Sequence, residues 1–587
     1  MSAAAVLASA PRQSFVGVHD GHNASVALVR DGRLQFALQE ERLTRTKNQG
    51  DVPALALRQV LDLAGGELAG GDRLALNGRY MNYHQWDRDT VARDYDRSGG
   101  LISRLKQPLK NTFLDDAYRR HKAAKRIENL HQFGVQRPQI AAVEHHRAHA
   151  AAAYYTAPWR VHPAAFPART LVLTCDGSGD RLSASVSVGE GTGLARLAEV
   201  SEHDSIGRLY SLITRHLGMS PLEHEYKVMG LAPYASAARA SAGVARALTD
   251  LFEFADEGLS WKRKRGVPSM YAAREFLAHL LAGYRFDHIA AGAQMFIETM
   301  LTAWVRHAIR ETGIRRIACS GGVFMNVKAN LLILELDEVD DMYVFPSCGD
   351  ESNSIGAACW EAARAGESTA PLGGLYFGEG ITDGEASLAL ESAAKQDVRL
   401  RFHYVSNMER MVAEKLAEGR IVARAKGPME FGARALGNRS ILARADAPAL
   451  VRVINEAIKS RDFWMPFAPS VLAERASRYY TKPKPVASPY MMYAFRARPE
   501  KAGAFAAAQH PYDSTARAHE VEAAHNPSFH SLLQEYETIT GEAIVLNTSF
   551  NLHGEPIVYR AADAIDVLQR SGLQFLALAN WWVEKVA

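Results

Sequence analysis

Cysteine is scarce in this sequence, which has four in 587 residues: Cys175, Cys319, Cys348 and Cys359. So few scattered thiols exclude a dense disulfide framework and are typical of a reducing, intracellular compartment. Long apolar runs are lacking too, since no uncharged run reaches the roughly 18–20 residues that span a bilayer. The segment from Met1 to Ala10 is apolar but lacks the positive charge that opens a signal peptide. We therefore expect a cytoplasmic protein with no membrane partner and a disordered tail over residues 1–13.

An excess of charge of one sign is also missing. The 68 lysines and arginines nearly balance the 65 aspartates and glutamates, which gives a net charge of +3 at pH 7. This balance does not indicate a nucleic-acid partner, although local basic clusters can still bind small phosphates. The chain is too long for one hydrophobic core, so we expect two to four domains.

A β-hairpin pattern opens the chain and returns later. We predict strands over residues 14–19, 23–29 and 33–40, and again over 171–175 and 183–188. Asp31-Gly32 marks a turn in the first copy, and Asp176 to Gly179 mark the turn in the second. The repeat indicates two related halves, and two unrelated hairpins would explain the pattern equally well.

The segment between the two hairpin units is predicted to be helical and basic. It covers residues 101–130 and indicates an insertion over about 97–131. Charges on such a helix more often form a solvated face than a binding surface. We therefore expect the insertion to be a surface feature.

A strand, a glycine turn and a helix follow one another near the middle of the chain. The strand covers residues 315–319, Ser320-Gly321-Gly322 form the turn, and the helix covers 324–334. Such a turn lets backbone N–H groups approach a nucleotide, although many strand–helix connections use glycine. Asp350 follows the next strand, where it is either a helix cap or a ligand at the carboxyl end of that strand.

His145 and His149 are four residues apart in an alanine-rich run. In a helix they would share one face, and two imidazoles so placed can hold one divalent metal. By itself such a pair is more often a polar helix face. A zinc-protease site would need Glu directly after the first His, whereas position 146 is His, so the pattern does not favour that class.

Residues 366–380 are rich in Gly, Ser, Thr and Pro, and they predict a domain boundary near Pro371. Beyond it, cations cluster with glycines and with hydroxyl and amide donors. These residues are Lys426, Arg434, Arg439, Lys459, Arg461, Arg517 and the run from Asn547 to Asn551, which includes Ser549. Such a set suits a polyphosphate, and surface cations in weak ion pairs are the alternative.

Seven segments in a fixed order carry a family resemblance. They are His19 to Ser25, Glu40 to Arg45, His145 to His149, Glu225 to Ala232, Ser320 to Gly322, Arg434 to Gly437 and Asn547 to Asn551. Together they resemble the O-carbamoyltransferases of the nodulation, cephamycin and aminoglycoside-tailoring type. Each segment alone is weak, and seven in the order of the family are very specific.

The resemblance implies a fold class of α/β and α+β in two domains. Residues 14–370 would form a TsaD-like domain with duplicated halves, which is the threonylcarbamoyl-transferase branch of the actin and sugar-kinase fold. Residues 371–587 would form a YrdC-like domain. In the family, the second domain joins carbamoyl phosphate to ATP, with magnesium, to form carbamoyladenylate and pyrophosphate.

In the family, the first domain then passes the carbamoyl group to a hydroxyl of a small-molecule acceptor and releases AMP. It holds a divalent metal, for which the resemblance favours iron, with manganese or zinc as alternatives. The acceptor would be a natural product or sugar, as in antibiotic tailoring.

The resemblance also assigns roles to single residues. His145, His149 and Asp350 match the metal ligands, with Asp176 beside the metal. His22 matches the catalytic histidine, and His19 competes with it for the role of general base. The residues matched to nucleotide or adenylate contacts are Lys47, Asp176, Lys227, Gly321, Gly322 and Asn326. Those matched to ATP and carbamoyl phosphate are Lys426, Arg434, Arg439, Lys459, Arg461, Arg517 and Ser549.

Pro428 and Met465 depart from the family pattern, which has arginine before Met-Glu and before Pro-Phe. Each change removes a phosphate donor. Lys426 is a candidate replacement for one of them. Without such a replacement, we expect a different affinity for ATP or a different mode of activation.

Three other classes compete with this interpretation. A tRNA threonylcarbamoyl transferase needs a basic surface, which the net charge of +3 does not favour. A sugar kinase would leave the second domain unexplained, and a nucleotide-gated scaffold would not need His22, Lys47 and the metal residues. The sequence names no acceptor, and it leaves a homodimer open.

Overall fold

A computed structural model describes residues 13–79, 88–97, 113–136, 139–160, 169–459 and 462–586. The predicted tail up to residue 12, residues 98–112 of the predicted insertion and Arg461 lie outside the described residues. The chain has a mixed α/β fold with two five-stranded sheets and one eight-stranded sheet as its largest sheets. Among the described residues, no helix combines the length and the apolar content that crossing a bilayer requires.

The first sheet has the strand order β3-β2-β1-β4-β5. Its strands are Ser14–His19 (β1), Ser25–Arg30 (β2), Arg33–Gln39 (β3), Arg73–Asn77 (β4) and Ile140–Val143 (β5). The first three strands form antiparallel hairpins, as predicted, and β4 and β5 run parallel to β1. All residues of β1 are buried, because this central strand has neighbours on both sides and helices on both faces.

The second sheet repeats this arrangement in the order β12-β11-β6-β7-β8. The strands of this region are Thr170–Gly179 (β6), Leu182–Glu190 (β7), Gly193–Ser201 (β8), Phe252–Ala255 (β9), Ser260–Arg263 (β10), Arg316–Ser320 (β11) and Asp341–Val344 (β12). Three antiparallel strands are again followed by two parallel ones. The two sheets therefore share strand order and direction, as the repeated hairpin pattern predicted.

The hairpin turn of the second copy lies later than predicted. The strand β6 continues through Gly179, so Asp176 to Gly179 are strand residues. The turn is formed by Asp180 and Arg181, whose φ angles are 51° and 73°. Positive φ at both central residues is what a type I′ hairpin turn requires. The predicted turn position was therefore wrong, and Asp176 is held by a strand and not by a loop.

Helices cover and separate the two sheets. They are Glu41–Thr44 (α1), Ala54–Ala64 (α2), Arg88–Arg97 (α3), Phe113–His131 (α4), His145–Tyr155 (α5), Ile206–His216 (α6), Glu225–Leu231 (α7), Arg239–Thr249 (α8), Arg274–Leu280 (α9), Phe286–Thr312 (α10), Val327–Leu334 (α11) and Asn353–Arg364 (α12). The helix predicted over 324–334 begins at Val327, because Asn326 accepts a hydrogen bond from the N–H of Ala329 and caps α11.

Two helices connect the halves in a crossed manner. α5 follows β5 of the first sheet and packs on the second, whereas α12 follows β12 of the second sheet and packs on the first. The two helices also pack against each other, and a Cβ atom at Gly356 would overlap the carbonyl oxygen of Ala148. Glycine at this position therefore permits the close approach that brings the first turns of both helices together.

The C-terminal part is built on the eight-stranded sheet, with the order β14-β25-β24-β15-β17-β23-β18-β22. The strands of the C-terminal part, in this sheet and in two smaller ones, are Tyr376–Ile381 (β13), Leu400–Tyr404 (β14), Val422–Ala425 (β15), Gly427–Glu430 (β16), Arg439–Arg444 (β17), Ala468–Leu472 (β18), Tyr480–Thr481 (β19), Phe495–Ala497 (β20), Thr515–Ala516 (β21), His519–Val521 (β22), Ile544–Ser549 (β23), Phe575–Leu578 (β24) and Trp581–Lys585 (β25). Its helices are Asp383–Ala394 (α13), Met408–Ala417 (α14), Pro448–Ile454 (α15), Pro527–Thr540 (α16) and Ala561–Arg570 (α17).

His519 in β22 makes the stability of the fold dependent on pH. Its Nδ1 lies 2.9 Å from Ser470 Oγ, and burial lowers its pKa to about 3. Below pH 6.5 the unfolded chain binds a proton that the folded protein excludes, so stability falls as the pH falls towards 3. At about 1.4 kcal/mol per pH unit, this histidine should cost roughly 2 kcal/mol between pH 6.5 and 5.

The measurement is the free energy of unfolding in urea at both pH values for the wild type and for His519→Gln. We expect the variant to lose less stability than the wild type on acidification, because the amide has no such proton to bind. His279→Gln, at an exposed position in α9, should behave as the wild type. Equal acid losses in His519→Gln and the wild type would contradict this role of His519.

Candidate active site

The two predicted histidine ligands lie on α5, which begins where β5 ends. The carboxylate of Glu144 caps this helix by accepting the N–H groups of His146 and Arg147 at 2.8 and 3.0 Å. His145 and His149 therefore lie one turn apart on a shared face, with ring centroids separated by 4.8 Å. This geometry is the one their spacing predicted.

Asp350 and Asp176 complete a cluster with these histidines. Asp350 lies between β12 and α12, and the contact of α12 with α5 brings it to the first turn of α5. One ligand atom from each of the four residues lies within 4.8 Å of the others. Nε2 of His145 is 3.3 Å from Asp350 Oδ1 and 3.3 Å from Asp176 Oδ2. Two imidazoles and two carboxylates are a donor set that suits iron, manganese or zinc.

The electrostatics of this cluster favour a cation. Oδ1 of Asp350 is buried and accepts no well-aligned hydrogen bond from the described residues, although Nε2 of His149 is 3.4 Å away. Burial lowers the pKa of His145, but Asp350 and Asp176 outweigh this effect and raise the pKa well above its ordinary value. A divalent cation would supply the positive charge that these carboxylates favour, so the four residues fit a metal.

Polar neighbours that sequence reasoning missed orient the cluster. Nδ1 of His149 lies 3.3 Å from Ser320 Oγ, and its Nε2 lies 3.1 Å from the amide of Asn353. Oδ2 of Asp180 accepts the backbone N–H of His145 at 2.9 Å. Contacts of this kind fix the orientation of metal ligands. The sequence signal of Asp180 was only its turn propensity, and Asn353 carried none.

His19 ends β1 and His22 lies in the loop that follows it, and the two histidines differ in their surroundings. Nδ1 of His19 accepts a hydrogen bond from the amide of Asn77 at 2.9 Å, and its Nε2 donates to the carbonyl oxygen of His22 at 3.0 Å. Both ring nitrogens are engaged, and burial lowers the pKa of His19 to about 4, so His19 has a structural role. Burial also lowers the pKa of His22, although the nearby carboxylate of Asp350 acts to raise it. His22 therefore lies close to the histidine–aspartate cluster formed by His145, His149, Asp176 and Asp350.

The glycine turn after β11 is present, and part of it binds a protein carboxylate. Gly321 has a φ of 103°, and a Cβ atom there would overlap the backbone of Cys175. The N–H of Gly322 donates to Oδ1 of Asp176 at 2.9 Å. The turn thus requires glycine for its conformation and helps to hold Asp176.

Three side chains predicted to contact the nucleotide have protein partners. The pairs are Lys47 with Glu223 at 2.8 Å, Lys227 with Asp462 at 3.0 Å, and Asn326 with Gln294 at 3.0 Å. Glu223 lies near His22 as well, where its charge acts on the pKa of that histidine. Lys47 therefore pairs with a carboxylate that acts on His22, and Lys227 lies at the contact with the C-terminal part. Their contacts with a nucleotide stay predictions.

The predicted phosphate contacts of the C-terminal part lie at one end of its large sheet. The pairing registers place the end of β15, the start of β17, the end of β23 and the starts of β18 and β22 at this end. Lys426, Arg517 and Ser549 end or adjoin these strands. Lys459 reaches the same place through its contact with Ser549, and the segment of Arg434 does so through the hydrogen bond from the amide of Asn547 to the carbonyl oxygen of Ala435. Tertiary structure thus gathers residues that are up to 123 positions apart in the chain.

Lys459 and Ser549 are in direct contact. Nζ of Lys459 is buried and donates to Ser549 Oγ at 3.1 Å and to the side-chain oxygen of Asn551 at 2.8 Å. Lys459 ends the helical segment after α15, and Ser549 ends β23. Both residues belong to the set of cations and polar donors that the sequence pattern and the resemblance assigned to phosphate, and their contact joins two segments at the sheet end.

Two other predicted cations have different partners. Nζ of Lys426 lies 2.6 Å from a carboxylate oxygen of Glu409. The guanidinium of Arg439 is fully buried and donates to the carbonyl oxygens of Tyr559 and Gly427 at 3.1 and 3.0 Å. Arg439 therefore holds the glycine segment against the chain that precedes α17, and it is not part of the phosphate site proposed below.

The two departures from the family pattern lie apart from each other. Pro428 is exposed in β16, opposite Gly380 of β13. Met465 is buried beside Gly230 of α7. Met465 thus contributes to the contact between the two parts of the chain, and the effect of either residue on ATP binding stays a prediction.

A group of hydrogen bonds joins the glycine segment to the N-terminal part. Arg42 donates to the carbonyl oxygen of Gly432 at 2.6 Å, and Gln39 accepts the N–H of Gly432 at 3.1 Å. Arg42 belongs to the Glu-Glu-Arg segment, so that motif contacts the C-terminal part directly.

The next residues of the glycine segment reach the loop before Asp350. Oγ of Ser347 accepts the N–H of Ala433 at 3.0 Å. Burial raises the pKa of Cys348, and Arg434 is close enough to oppose this rise. The glycine segment that includes Arg434 therefore contacts the loop that carries Asp350, a predicted metal ligand. We call this region, formed by Ser347, Cys348 and the segment Gly432 to Arg434, the junction.

The fold and the site together define a two-part α/β protein with a histidine–aspartate cluster in one part and a basic sheet end in the other. The family model described as Carbamoyltransferase N-terminus matches residues 14–359, and Carbamoyltransferase C-terminus matches residues 413–585. The chain therefore belongs to the carbamoyltransferase family. It is accordingly a transferase that handles a carbamoyl donor and an acceptor.

Similar proteins include nodulation proteins of rhizobia. The chain is 30% identical to Nodulation protein NolNO of Sinorhizobium fredii over 96% of this chain and 79% of that protein. It is 26% identical to Nodulation protein U of Rhizobium tropici over 94% of this chain and 93% of that protein. An uncharacterized protein of Methanocaldococcus jannaschii is 34% identical over 73% of this chain and 71% of its own length.

Among solved structures, HypF of T. kodakarensis shows 14% identity and a TM-score of 0.31, with 61% of this chain and 49% of that chain covered. A polyphosphate/ATP-glucomannokinase of Arthrobacter shows 13% identity and a TM-score of 0.28, with 60% of this chain and 99% of that chain covered. Scores this low do not identify a fold or a function.

Proposed function

We propose that this protein is an ATP-dependent O-carbamoyltransferase that works in two steps. In the first step, at the basic sheet end, carbamoyl phosphate, ATP and one water yield carbamoyladenylate, orthophosphate and pyrophosphate. In the second, an acceptor hydroxyl attacks the carbamoyl carbon near His22 and AMP leaves. The observation that carries this proposal is the junction, where the N–H of Ala433, the residue before Arg434, donates to Oγ of Ser347 at 3.0 Å in the loop that leads to Asp350. An intermediate made in one part would meet the other part there.

Adenylation makes the carbamoyl group reactive. Carbamoyl phosphate reacts poorly with neutral alcohols, and a mixed anhydride with AMP has a better leaving group. Atom balance requires that one water removes the phosphate of the donor, after which a carbamate oxygen attacks the α-phosphorus of ATP. The step then releases one orthophosphate and one pyrophosphate. Arg434, Lys459, Arg517 and Ser549 supply the cations and the hydroxyl that suit these anions, together with magnesium.

In the second step the acceptor hydroxyl must lose its proton as it attacks. Burial lowers the pKa of His22, so its imidazole is uncharged near neutral pH and can accept that proton. Lys47 would hold the adenylate phosphate at the same cluster. His145, His149 and Asp350, with Asp176 beside them, would hold a divalent metal, which would polarise the carbamoyl oxygen. Iron is the metal we propose, with manganese and zinc as alternatives.

The finer fold assignment belongs to the same proposal. The duplicated five-stranded sheets fit a TsaD-like domain of the actin and sugar-kinase type over residues 14–370. The eight-stranded sheet with its basic end would be a YrdC-like domain over residues 371–587. The acceptor would be a hydroxyl-bearing natural product or sugar.

Arg434→Ala tests the division of labour between the two parts. We expect this variant to lose pyrophosphate formation by about 100-fold or more, because a charge-assisted contact to phosphate is removed. The measurement is pyrophosphate release from ATP, with and without carbamoyl phosphate, and mass spectrometry of an alcohol acceptor for the carbamoyl addition.

The matched control is Arg475→Ala, which removes an exposed arginine of the same part that pairs with Glu537. It should keep the wild-type rate. Pyrophosphate release at the wild-type rate in Arg434→Ala would refute the placement of Arg434. Release that does not depend on carbamoyl phosphate in the wild type would refute the proposed reaction itself.

A further inference from the structure

One arginine of the predicted insertion is buried inside the N-terminal part. Arg126 lies on α4, where the sequence predicted a solvated surface helix, yet only 1% of its surface is exposed. The expectation of a purely solvated helix was therefore wrong at this position. A guanidinium is removed from water only when carboxylates or carbonyls replace its hydration.

Arg126 binds Asp20 with two parallel hydrogen bonds. Nε donates to Oδ2 at 2.8 Å, and Nη2 donates to Oδ1 at 2.6 Å. The same guanidinium donates to the carbonyl oxygens of Asn77 and Gly78 at 2.5 and 2.7 Å. A planar fork bound in this way fixes both position and direction. Arg126 thereby ties α4 to the loop after β1 and to the end of β4.

The loop that Arg126 holds is the one that carries His22. Asp20 lies between His19 and His22 in sequence. The amide of Asn77 binds His19, and His19 in turn donates to the carbonyl oxygen of His22 at 3.0 Å. Arg126 thus reaches the backbone of His22 through Asn77 and His19, and each hydrogen bond on this path is 3.0 Å or shorter.

The same helix is tied to the other half of the N-terminal part. Arg119 of α4 lies 3.5 Å from Glu202, and Asp116 pairs with Arg181 of the β6–β7 turn. The neighbour of Arg181 in that turn, Asp180, accepts the backbone N–H of His145. α4 therefore spans the loop that carries His22 and the β6–β7 turn, whose Asp180 binds the backbone of His145.

We propose that Arg126 is a positioning residue for the second step, and that α4 sets the location of His22 relative to the histidine–aspartate cluster. This inference rests on the proposed function. Arg126 binds Asp20 and the carbonyl oxygens of Asn77 and Gly78, so it would touch neither substrate nor metal. It acts through Asp20, Asn77 and His19 on the backbone that places the base.

The test uses the full-length protein and the variants Arg126→Gln, Arg126→Lys and Asp20→Asn. We expect kcat for acceptor carbamoylation to fall about 100-fold in Arg126→Gln, since a displacement of about 1 Å in a reacting group has an effect of this size. Pyrophosphate formation and the KM for carbamoyl phosphate should stay within about twofold of the wild type. AMP should then accumulate without carbamoylated product.

Further results separate positioning from general stability. Asp20→Asn should show the same loss, and the double variant should lose no more than either single one, because the two residues act as a pair. Arg126→Lys keeps a charge but not the fork, and it should show an intermediate kcat with an unchanged KM. Arg120→Gln is the matched control, since its side chain is exposed and donates to the carbonyl oxygen of Asp116 on the same helix.

Two results would overturn the proposal. One is a wild-type kcat for transfer in both Arg126→Gln and Arg126→Lys. The other is a parallel loss of both steps in Arg126→Lys and Asp20→Asn, which would make Arg126 merely structural. Failure of the proposed function is distinct, because the wild type would then release pyrophosphate at a rate that does not depend on carbamoyl phosphate.

Discussion

His22→Gln lowers the rate of carbamoyl transfer to an acceptor hydroxyl by about 10²–10⁴-fold, the range expected for the loss of a general base. Glutamine keeps a similar size and polarity but cannot accept a proton near neutral pH. Pyrophosphate formation should continue at the wild-type rate, because the basic sheet end is untouched. Carbamoyladenylate that finds no activated hydroxyl is then lost to water, so AMP appears without product.

The decisive quantity is the ratio of carbamoylated acceptor to pyrophosphate in one reaction. We expect this ratio to collapse in His22→Gln and to stay at the wild-type value in His216→Gln, which alters an exposed histidine at the end of α6. Parallel loss of product and pyrophosphate in His22→Gln would sink the assignment of His22 to the second step. His19→Asn should instead reduce stability, because both nitrogens of that ring hold the fold.

The second large effect is expected from the histidine–aspartate cluster. The double variant His145→Ala/His149→Ala should bind no stoichiometric metal and should transfer carbamoyl about 10³-fold more slowly. That loss corresponds to about 4 kcal/mol of transition-state stabilisation. The reason is that two carboxylates alone leave a weak, open site. Metal content is measured by mass spectrometry of the purified protein, independently of activity.

His403→Ala is the control, because it removes an exposed histidine of β14 in the other part of the chain. Removing the metal from the wild type with a chelator, followed by return of iron, manganese or zinc, identifies the metal that restores transfer. Full transfer by protein that carries no metal, in the continued presence of chelator, would end the metal assignment.

Local patterns predicted the elements that position the site. The hairpin pattern of residues 14–19 and 33–40 predicted β1 and β3, and the spacing of His145 and His149 predicted a shared helix face. These predictions hold because strand and helix periods act over a few residues. The turn at Asp180 was missed because a second turn signal, Asp176 to Gly179, directly precedes it in the sequence. The pairing of β6 with β7, which joins Gly179 to Leu182, decides which of the two forms the turn.

Long-range partners were beyond such patterns. The family resemblance predicted that Asp350 joins His145 and His149 in one site. No local pattern in the sequence indicated that Asn353 contacts His149 or that Glu223 lies near His22. Arg439 shows the opposite case, since a basic residue in a glycine-rich segment predicted a phosphate contact and the structure uses it for backbone carbonyls. A sequence states the type of a side chain, and burial with partners decides how that side chain is used.

The sequence by itself determined the family, the repeated hairpins, the histidine pair and the cations of the C-terminal part. Tertiary structure alone decided which residues meet: Ala433 on Ser347 in the loop that leads to Asp350, Lys459 on Ser549, and Arg126 buried on Asp20. The physical reason is that each of these contacts joins chain segments far apart in sequence. These segments come within hydrogen-bond or electrostatic range only in the folded protein. There α5 packs against α12, α4 contacts the loop after β1 and the β6–β7 turn, and the two parts of the chain meet at the junction.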